Sequence, residues 1–199
     1  MFEHLKNYHI ILASNSPRRR ELLGGLGIPF EVRVLPDISE SYPDTLAADE
    51  TAEYIAVEKA AAYQAVMQPD DLVITADTVV ISGDEVLGKP VDEVDACRML
   101  RLLSGRTHHV VTGVCLTTSR LQRSFSVKTD VTFKTLSDEE ISYYVNTYQP
   151  MDKAGAYGIQ EWIGYIGVTA LEGSYFNVMG LPVQRIYEAL KTFCETLSK

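Results

Sequence analysis

The chain has 199 residues, 46% of them hydrophobic, enough to bury a substantial core. Eighteen Lys and Arg against 27 Asp and Glu give a formal net charge of −9, which argues against a broad nucleic-acid-binding surface and gives no basis for attachment to an anionic membrane. Any polyanionic ligand must then be small and met by a local basic pocket.

The N-terminus, Met-Phe-Glu-His-Leu-Lys-Asn, lacks the shape of a signal peptide, and no apolar run approaches membrane-spanning length, so the expectation is a soluble cytoplasmic protein. The stretch from His9 to Leu23 reads as a short apolar strand, a Ser14-Asn15-Ser16 turn and a helix opening at Pro17, with Ser16 as its N-cap. Arg18, Arg19 and Arg20 follow at once. Positive charge in a first helical turn opposes the helix dipole unless an anion compensates it, so this turn points to a phosphate site rather than to a merely solvated helix start.

Phe30 to Leu35 alternates as a second strand, and Pro36 to Ala48 is an acidic loop carrying Asp37, Glu40 and Asp44. From Asp49 to Met67, residues Ala52, Ile55, Ala56, Ala60, Tyr63 and Met67 recur at helical spacing. Leu72 to Ala76 is a buried strand that ends at Asp77. Thr78 to Ile81 continues extended, and Ser82-Gly83-Asp84 makes a hairpin turn. Val91 to Leu103 is helical. Thr107 to Thr117 and Ser124 to Thr135 form an antiparallel hairpin, and Ser137 to Glu140 opens a helix with a capping box. Asp152 to Gln160 is a Gly/Ala-rich loop, Tyr165 to Ala170 a strand, and a last amphipathic helix from Pro182 turns Ile186, Ala189, Leu190 and Phe193 inward. Early alternation of strands and helices, with hairpins later, predicts an α/β fold around a mixed twisted sheet with flanking helices.

Asp77 is the most conspicuous carboxylate. It interrupts an apolar extended run, where a charge is costly to bury unless it is paired or bound to metal. Lys89 is held stiffly between Gly88 and Pro90. Lys59 lies beside the apolar stripe of its helix, where it either reaches a ligand or lays its stem along the packed face. Arg106, in the turn Ser104 to Thr107, is equally a ligand group or a solvated side chain. Gly155 and Gly158 permit close backbone approach between Lys153 and Gln160. His108 and His109 are adjacent on a strand and point to opposite faces, so they do not converge on one ion. His4 and His9 have no evident partners. Cys97, Cys115 and Cys194 sit in apolar patterns, as buried, inert thiols of a reducing compartment would.

Five of these segments occur in order: Ser14 to Arg19, Ala76-Asp77-Thr78, Gly88-Lys89-Pro90, Ser104 to Thr107, and Asp152 to Gln160. Together they resemble the Maf family of nucleoside triphosphate pyrophosphatases over nearly the whole chain, from about Ile10 to Phe193. The segment from Asp152 to Gln160 is most similar to the branch that hydrolyses dTTP and UTP. The resemblance implies a single Maf-like domain over 1–199, similar to the inosine triphosphate pyrophosphatase fold, with two intimate lobes around a central cleft, often as a homodimer. It also implies a divalent cation, Mg²⁺ or Mn²⁺, and hydrolysis of a nucleoside triphosphate to the monophosphate and pyrophosphate. Carried onto this chain, it makes Asp77 the proton acceptor or a holder of the metal. Arg18, Thr78 and Gln160 become specificity positions, and Ser14, Arg18, Arg19, Lys59 and Lys89 phosphate-handling ones. Glu40 joins Asp77 at the metal, with Asp37 its nearby competitor. A carboxamide at Gln160 can accept from uracil N3–H and donate to O4, whereas cytosine presents the reverse pattern. Two other readings are the same reaction on a methylated or non-standard purine nucleotide, and a nucleotide-sensing regulator of cell division without turnover.

Overall fold

The computed structural model describes residues 3–193, without the side chain of His4. Cys194, expected as a buried thiol, lies outside the described residues. Strand β1, His9–Leu12, places Ile10, Ile11 and Leu12 in the core. Helix α1, Pro17–Gly24, starts where expected: Ser16 Oγ accepts from the Arg19 N–H, and proline takes the first turn, where its missing donor costs nothing. Strand β2 is only Glu31–Val32, shorter than the alternation suggested. Beyond it, Tyr63 claims the backbone. Its hydroxyl donates to the Arg33 carbonyl at 2.8 Å and accepts from the Leu35 N–H at 3.1 Å, so the chain leaves the ladder.

Helix α2, Thr51–Gln64, buries Ala52, Ile55, Ala56, Ala60 and Tyr63 as its period requires, and Met67 lies beyond its end. Strand β3 spans Asp71–Ser82 without interruption, so Asp77 lies in mid-strand and does not end one. Strand β4, Glu85–Leu87, returns antiparallel on β3 through the expected turn at Gly83. Then come α3, Glu93–Leu103, capped by Asp92, the strands β5, Thr107–Thr117, and β6, Gln122–Phe133, and α4, Asp138–Tyr148, with its full Ser137–Glu140 capping box. Where a strand was expected at Tyr165 to Ala170, the chain instead forms helix α5, Trp162–Gly167, followed by β7, Val168–Glu172. Glu161's carbonyl accepts from the Gly164 and Tyr165 N–H groups, which closes the helical turn. A short helix α6, Tyr175–Val178, and α7, Val183–Phe193, complete the elements.

The strands form one mixed sheet in the order β2-β1-β3-β5-β6-β7, with β4 also on β3. β1 is parallel to β2 and β3, whereas β3–β4 and β6–β7 are antiparallel. The α/β architecture with a mixed sheet is therefore as expected. Contacts divide the chain into two compact units. One comprises 1–77, 112–127 and 180–199; the other comprises 78–111 and 128–179.

In the first unit, Ile11, Tyr63 and Val73 pack together, and Ala56, Ala60 and Cys115 form a close helix–strand contact. A Cβ on Gly113 of β5 would fall into the Ala52–Glu53 backbone, so only glycine lets that strand run against the start of α2. His9 is partnered, contrary to expectation: Nδ1 lies 3.1 Å from Asp71 and Nε2 3.0 Å from Glu31. In the second unit, Leu100, Leu103, Phe133, Ile141, Tyr144, Tyr157 and Ile163 are among the residues of one large apolar cluster. Cys97 only borders that cluster and is half-buried, because its place on α3 lies at the edge of the apolar face rather than at its centre. No helix among the described residues is long and apolar enough to cross a membrane.

Candidate active site

The first unit holds six of the expected residues and brings four of them, Arg19, Glu40, Lys59 and Asp77, together. Ser14 is buried directly after β1, and its Oγ accepts from the Ser16 N–H at 3.2 Å, which shapes the turn into α1. Arg18 is half-buried and Arg20 exposed. Arg19 folds back into the unit: Nε donates to the Gly180 carbonyl and Nη1 to the Ala76 carbonyl, each at 2.8 Å. Burial lowers its pKa, the charge of Asp77 opposes that, Arg18 reinforces it and Glu40 opposes it again. Guanidinium stays cationic throughout. Arg19 is thus built into the site as a fixed positive group, a structural tie that its sequence position did not reveal.

Lys59 reaches out of α2 as an ammonium shared by two carboxylates. Its Nζ lies 2.7 Å from Asp77 Oδ1 and 2.7 Å from Glu40 Oε1. Lys59 and Asp77 are each only 13% exposed, whereas Glu40 keeps about half its surface in water. The pairing answers the cost of placing Asp77 inside an apolar strand, since a buried charge is tolerated when it is paired and hydrogen-bonded. Glu40 enters by way of the acidic loop, which no local pattern directs toward α2.

The same two carboxylates converge on one cationic point, and their oxygens suit a hard divalent ion. Among the described residues, no group of three or more His, Cys, Asp or Glu is placed to hold an ion by itself. Mg²⁺ takes one or two carboxylates and completes its shell with water and substrate phosphate oxygens, so the donor set fits such an ion.

The second unit holds Thr78, Lys89 and Gln160. Thr78 follows Asp77 on β3 and is half-buried, whereas Lys89 is exposed. The Gly88 carbonyl accepts from the Gly155 N–H at 3.0 Å, joining the Gly88-Lys89-Pro90 segment to the loop before Gln160. Gly155 is left-handed (φ 66°), and a Cβ there would come within 2.8 Å of Val80. Ala156 also adopts a left-handed backbone (φ 58°) while fully buried, a conformation that L-residues seldom hold unless the surroundings impose it. Gln160 Oε1 is buried with no hydrogen-bond partner among the described residues. Arg106 is exposed.

Two residues of this second group, Tyr144 and Glu161, had not been singled out in the sequence. Tyr144 and Lys153, both buried, and the half-buried Glu161 form a polar network around the loop. Lys153 lies within the Asp152 to Gln160 motif, and its place there was its one signal. Tyr144, on α4, carried none beyond its helical phase.

An α/β scaffold that presents a carboxylate–ammonium–guanidinium cluster beside β3 is suited to binding and hydrolysing a small polyanion. The chain belongs to the Maf family: the family model described as Maf-like protein matches residues 9–193. It is 66% identical to a protein of Phocaeicola vulgatus, with 96% of this chain and 99% of the relative covered. It is 60% identical to one of Bacteroides thetaiotaomicron, over 96% and 99%. A third relative, from Porphyromonas gingivalis, is 56% identical over 98% and 100%. All three are named dTTP/UTP pyrophosphatase. Among solved structures, a HAM1 protein from Coxiella burnetii aligns with a TM-score of 0.41 at 16% identity, over 92% of this chain and 98% of that one, a likeness too remote to bear on the site.

Proposed function

We propose that this protein hydrolyses nucleoside triphosphates, with dTTP and UTP as its preferred substrates, to the monophosphate and pyrophosphate. The names of its relatives support the substrate class, and the arrangement of Asp77, Lys59, Glu40 and Arg19 carries the chemistry. Water attacks the α-phosphorus, the bond from that phosphorus to the α,β-bridging oxygen breaks, and pyrophosphate departs with the bridging oxygen. Asp77 accepts the proton that the water gives up. Arg18, Arg19, Lys59 and Lys89 meet the charge of the triphosphate and of the leaving group, and Ser14 donates from the turn.

Glu40 and Asp77 are the residues that would hold Mg²⁺ or Mn²⁺, and such an ion, when bound, supplies further neutralisation of phosphate charge and a more acidic water. Lys59 yields part of its contact with the two carboxylates as phosphate oxygens arrive.

Gln160, with Thr78 and Arg18, selects the base. The partnerless Oε1 of Gln160 is an acceptor that a pyrimidine N3–H would satisfy, and the amide N–H donates to O4. Cytosine presents the opposite pattern and would leave buried groups unpaired, a loss of roughly 1–3 kcal/mol per group.

The test is pyrophosphate release with Mg²⁺ or Mn²⁺ from dTTP, UTP, CTP, GTP and ATP, beside Asp77→Asn. Release from dTTP and UTP, abolished in the variant, is the expected result. Release from methylated or non-standard purine nucleotides instead would keep the reaction and replace the base. Binding without any release would make the protein a sensor.

A further inference from the structure

The turn that presents Gln160 is gripped at both ends by one hydroxyl. The Glu161 N–H donates to the Gly158 carbonyl at 2.9 Å, which closes a four-residue turn with Ile159 and Gln160 at its centre. The Gly158 N–H donates to Tyr144 Oη at 3.0 Å, and that same hydroxyl donates to Glu161 Oε2. A phenol oxygen can accept and donate at once, so Tyr144 ties the first residue of the turn to the last. Burial and the neighbouring Glu161 carboxylate both push the phenol's pKa up, which keeps the donating proton in place.

The other carboxylate oxygen of Glu161 is also engaged. Lys153 Nζ lies 3.2 Å from Glu161 Oε1 and 2.7 Å from Asp152 Oδ1, with the lysine side chain only 9% exposed. Gly158 makes room for this pair: a Cβ there would come within 2.9 Å of Glu161 Cδ and 3.1 Å of Lys153 Cε. Beyond the turn, a Cβ on Gly164 would collide with the Ile159 carbonyl, so α5 packs directly on the turn's backbone. The hydroxyl, the ion pair and the helix thus hold a segment four residues long. A surface turn needs none of them. Gln160 Oε1, by contrast, has no partner within the described protein, so the position of that oxygen is inherited from the turn.

We propose that Tyr144, acting with Glu161 and Lys153, is the positioning residue that sets the Gln160 carboxamide for recognition of the base. The inference rests on the reading of Gln160 as the group that contacts the base. Tyr144 itself touches no substrate; it fixes the turn so that a pyrimidine N3–H meets an acceptor already in place.

Tyr144→Phe keeps the ring that stacks on Tyr148, at 5.1 Å between centroids, and removes only the hydroxyl. The readout is the ratio of kcat/KM for UTP to that for CTP, in wild type, Tyr144→Phe, Gln160→Ala and the double variant, with thermal unfolding followed in parallel. Tyr144→Phe is expected to lower the ratio about tenfold, the worth of one misplaced hydrogen bond, chiefly through UTP. In the Gln160→Ala background the same change should move the ratio less than about twofold, because its target is gone. Equal losses on UTP and CTP would mark a merely structural tyrosine and overturn the proposal, as would fully additive effects in the double variant. If Gln160→Ala leaves the ratio unchanged, the base-contact reading itself fails and the proposal falls with it. A Gln160→Ala effect with no Tyr144→Phe effect removes the proposal alone. Should Tyr144→Phe not fold, Glu161→Gln takes its place: it keeps an acceptor for the tyrosine, discharges the partner of Lys153, and should lower the ratio in the same direction. An unchanged ratio in a folded Glu161→Gln protein would then overturn the proposal.

Discussion

Lys59 Nζ and Asp77 Oδ1 lie 2.7 Å apart, bringing the middle of a helix onto the middle of a strand. With Glu40 on the same ammonium, the ion pair holds Asp77 in an apolar strand and presents carboxylate oxygens around a single cationic point. Arg19, anchored on two backbone carbonyls, adds a positive group that cannot swing away. The cluster is held in place by contacts that are separately modest. Together they fix four side chains drawn from three elements and a loop.

Asp77→Asn retains the shape of the side chain and removes its basicity. The expected loss is roughly 10²–10⁴-fold in kcat for UTP, the range for a positioned general base. Steady-state pyrophosphate release checks it, and an unchanged urea midpoint would show that the loss is chemical.

Arg19→Lys keeps the charge and loses the fork. A lysine ammonium does not reproduce the paired geometry by which Nε and Nη1 reach the Gly180 and Ala76 carbonyls. The variant should be less stable by about 2 kcal/mol, since hydrogen bonds to a charged donor contribute about 1.5–3 kcal/mol each and one of the two can be kept. Urea unfolding measures this; wild-type stability would mean that the carbonyl contacts contribute nothing.

His108 makes acid stability a property of the second unit. It is buried, its Nε2 lies 2.8 Å from Tyr157 Oη, and its Nδ1 is without a partner among the described residues. Burial pushes its pKa down to about 4, with the charge of His109 adding to the shift and Asp130 opposing it. The folded state therefore holds the imidazole neutral while the unfolded chain, near 6.5, takes up the proton as pH falls. Stability from this group is full above about pH 7 and declines toward pH 4, by about 2 kcal/mol between pH 7 and pH 5. Denaturant unfolding at the two pH values in wild type and His108→Gln isolates the effect: the variant's stability should change less with pH.

Gly113→Ala tests the closest packing in the first unit. The added methyl would meet the Ala52–Glu53 backbone, which cannot turn aside as a side chain could. Overpacking of this kind costs about 1–3 kcal/mol, and the backbone obstacle places this variant at about 3 kcal/mol. Thermal unfolding of the purified variant is the measurement, and a midpoint equal to wild type would contradict the packing described.

Local chemistry was readable wherever it is settled within a few residues. The serine cap and proline that start α1, the capping box of α4, the turn at Gly83 and the inward face of α7 all arise from hydrogen bonds or side-chain periods that span one or two turns. The chain's likeness to Maf proteins was readable for a related reason, since it lies in short ordered motifs. Features that depend on pairing across long sequence separation were not readable. Asp77 looked like the end of a strand, because its charge breaks an apolar run; β3 instead runs through it, with β1 paired before it and β4 after it. Tyr165 to Gly167 also looked extended, although the contact that makes it helical is local, the Glu161 carbonyl accepting from the Gly164 and Tyr165 N–H groups. His9 gained Asp71, and Glu40 gained Lys59, from partners 62 and 19 positions away. The sequence by itself determined where the capped helices begin and which residues are candidates for the chemistry, since these depend on nearest neighbours along the chain. Only the tertiary structure decided which charges share a proton-donating partner and which hydroxyl holds the Gln160 turn, because such contacts depend on distances in space that no spacing in the sequence encodes.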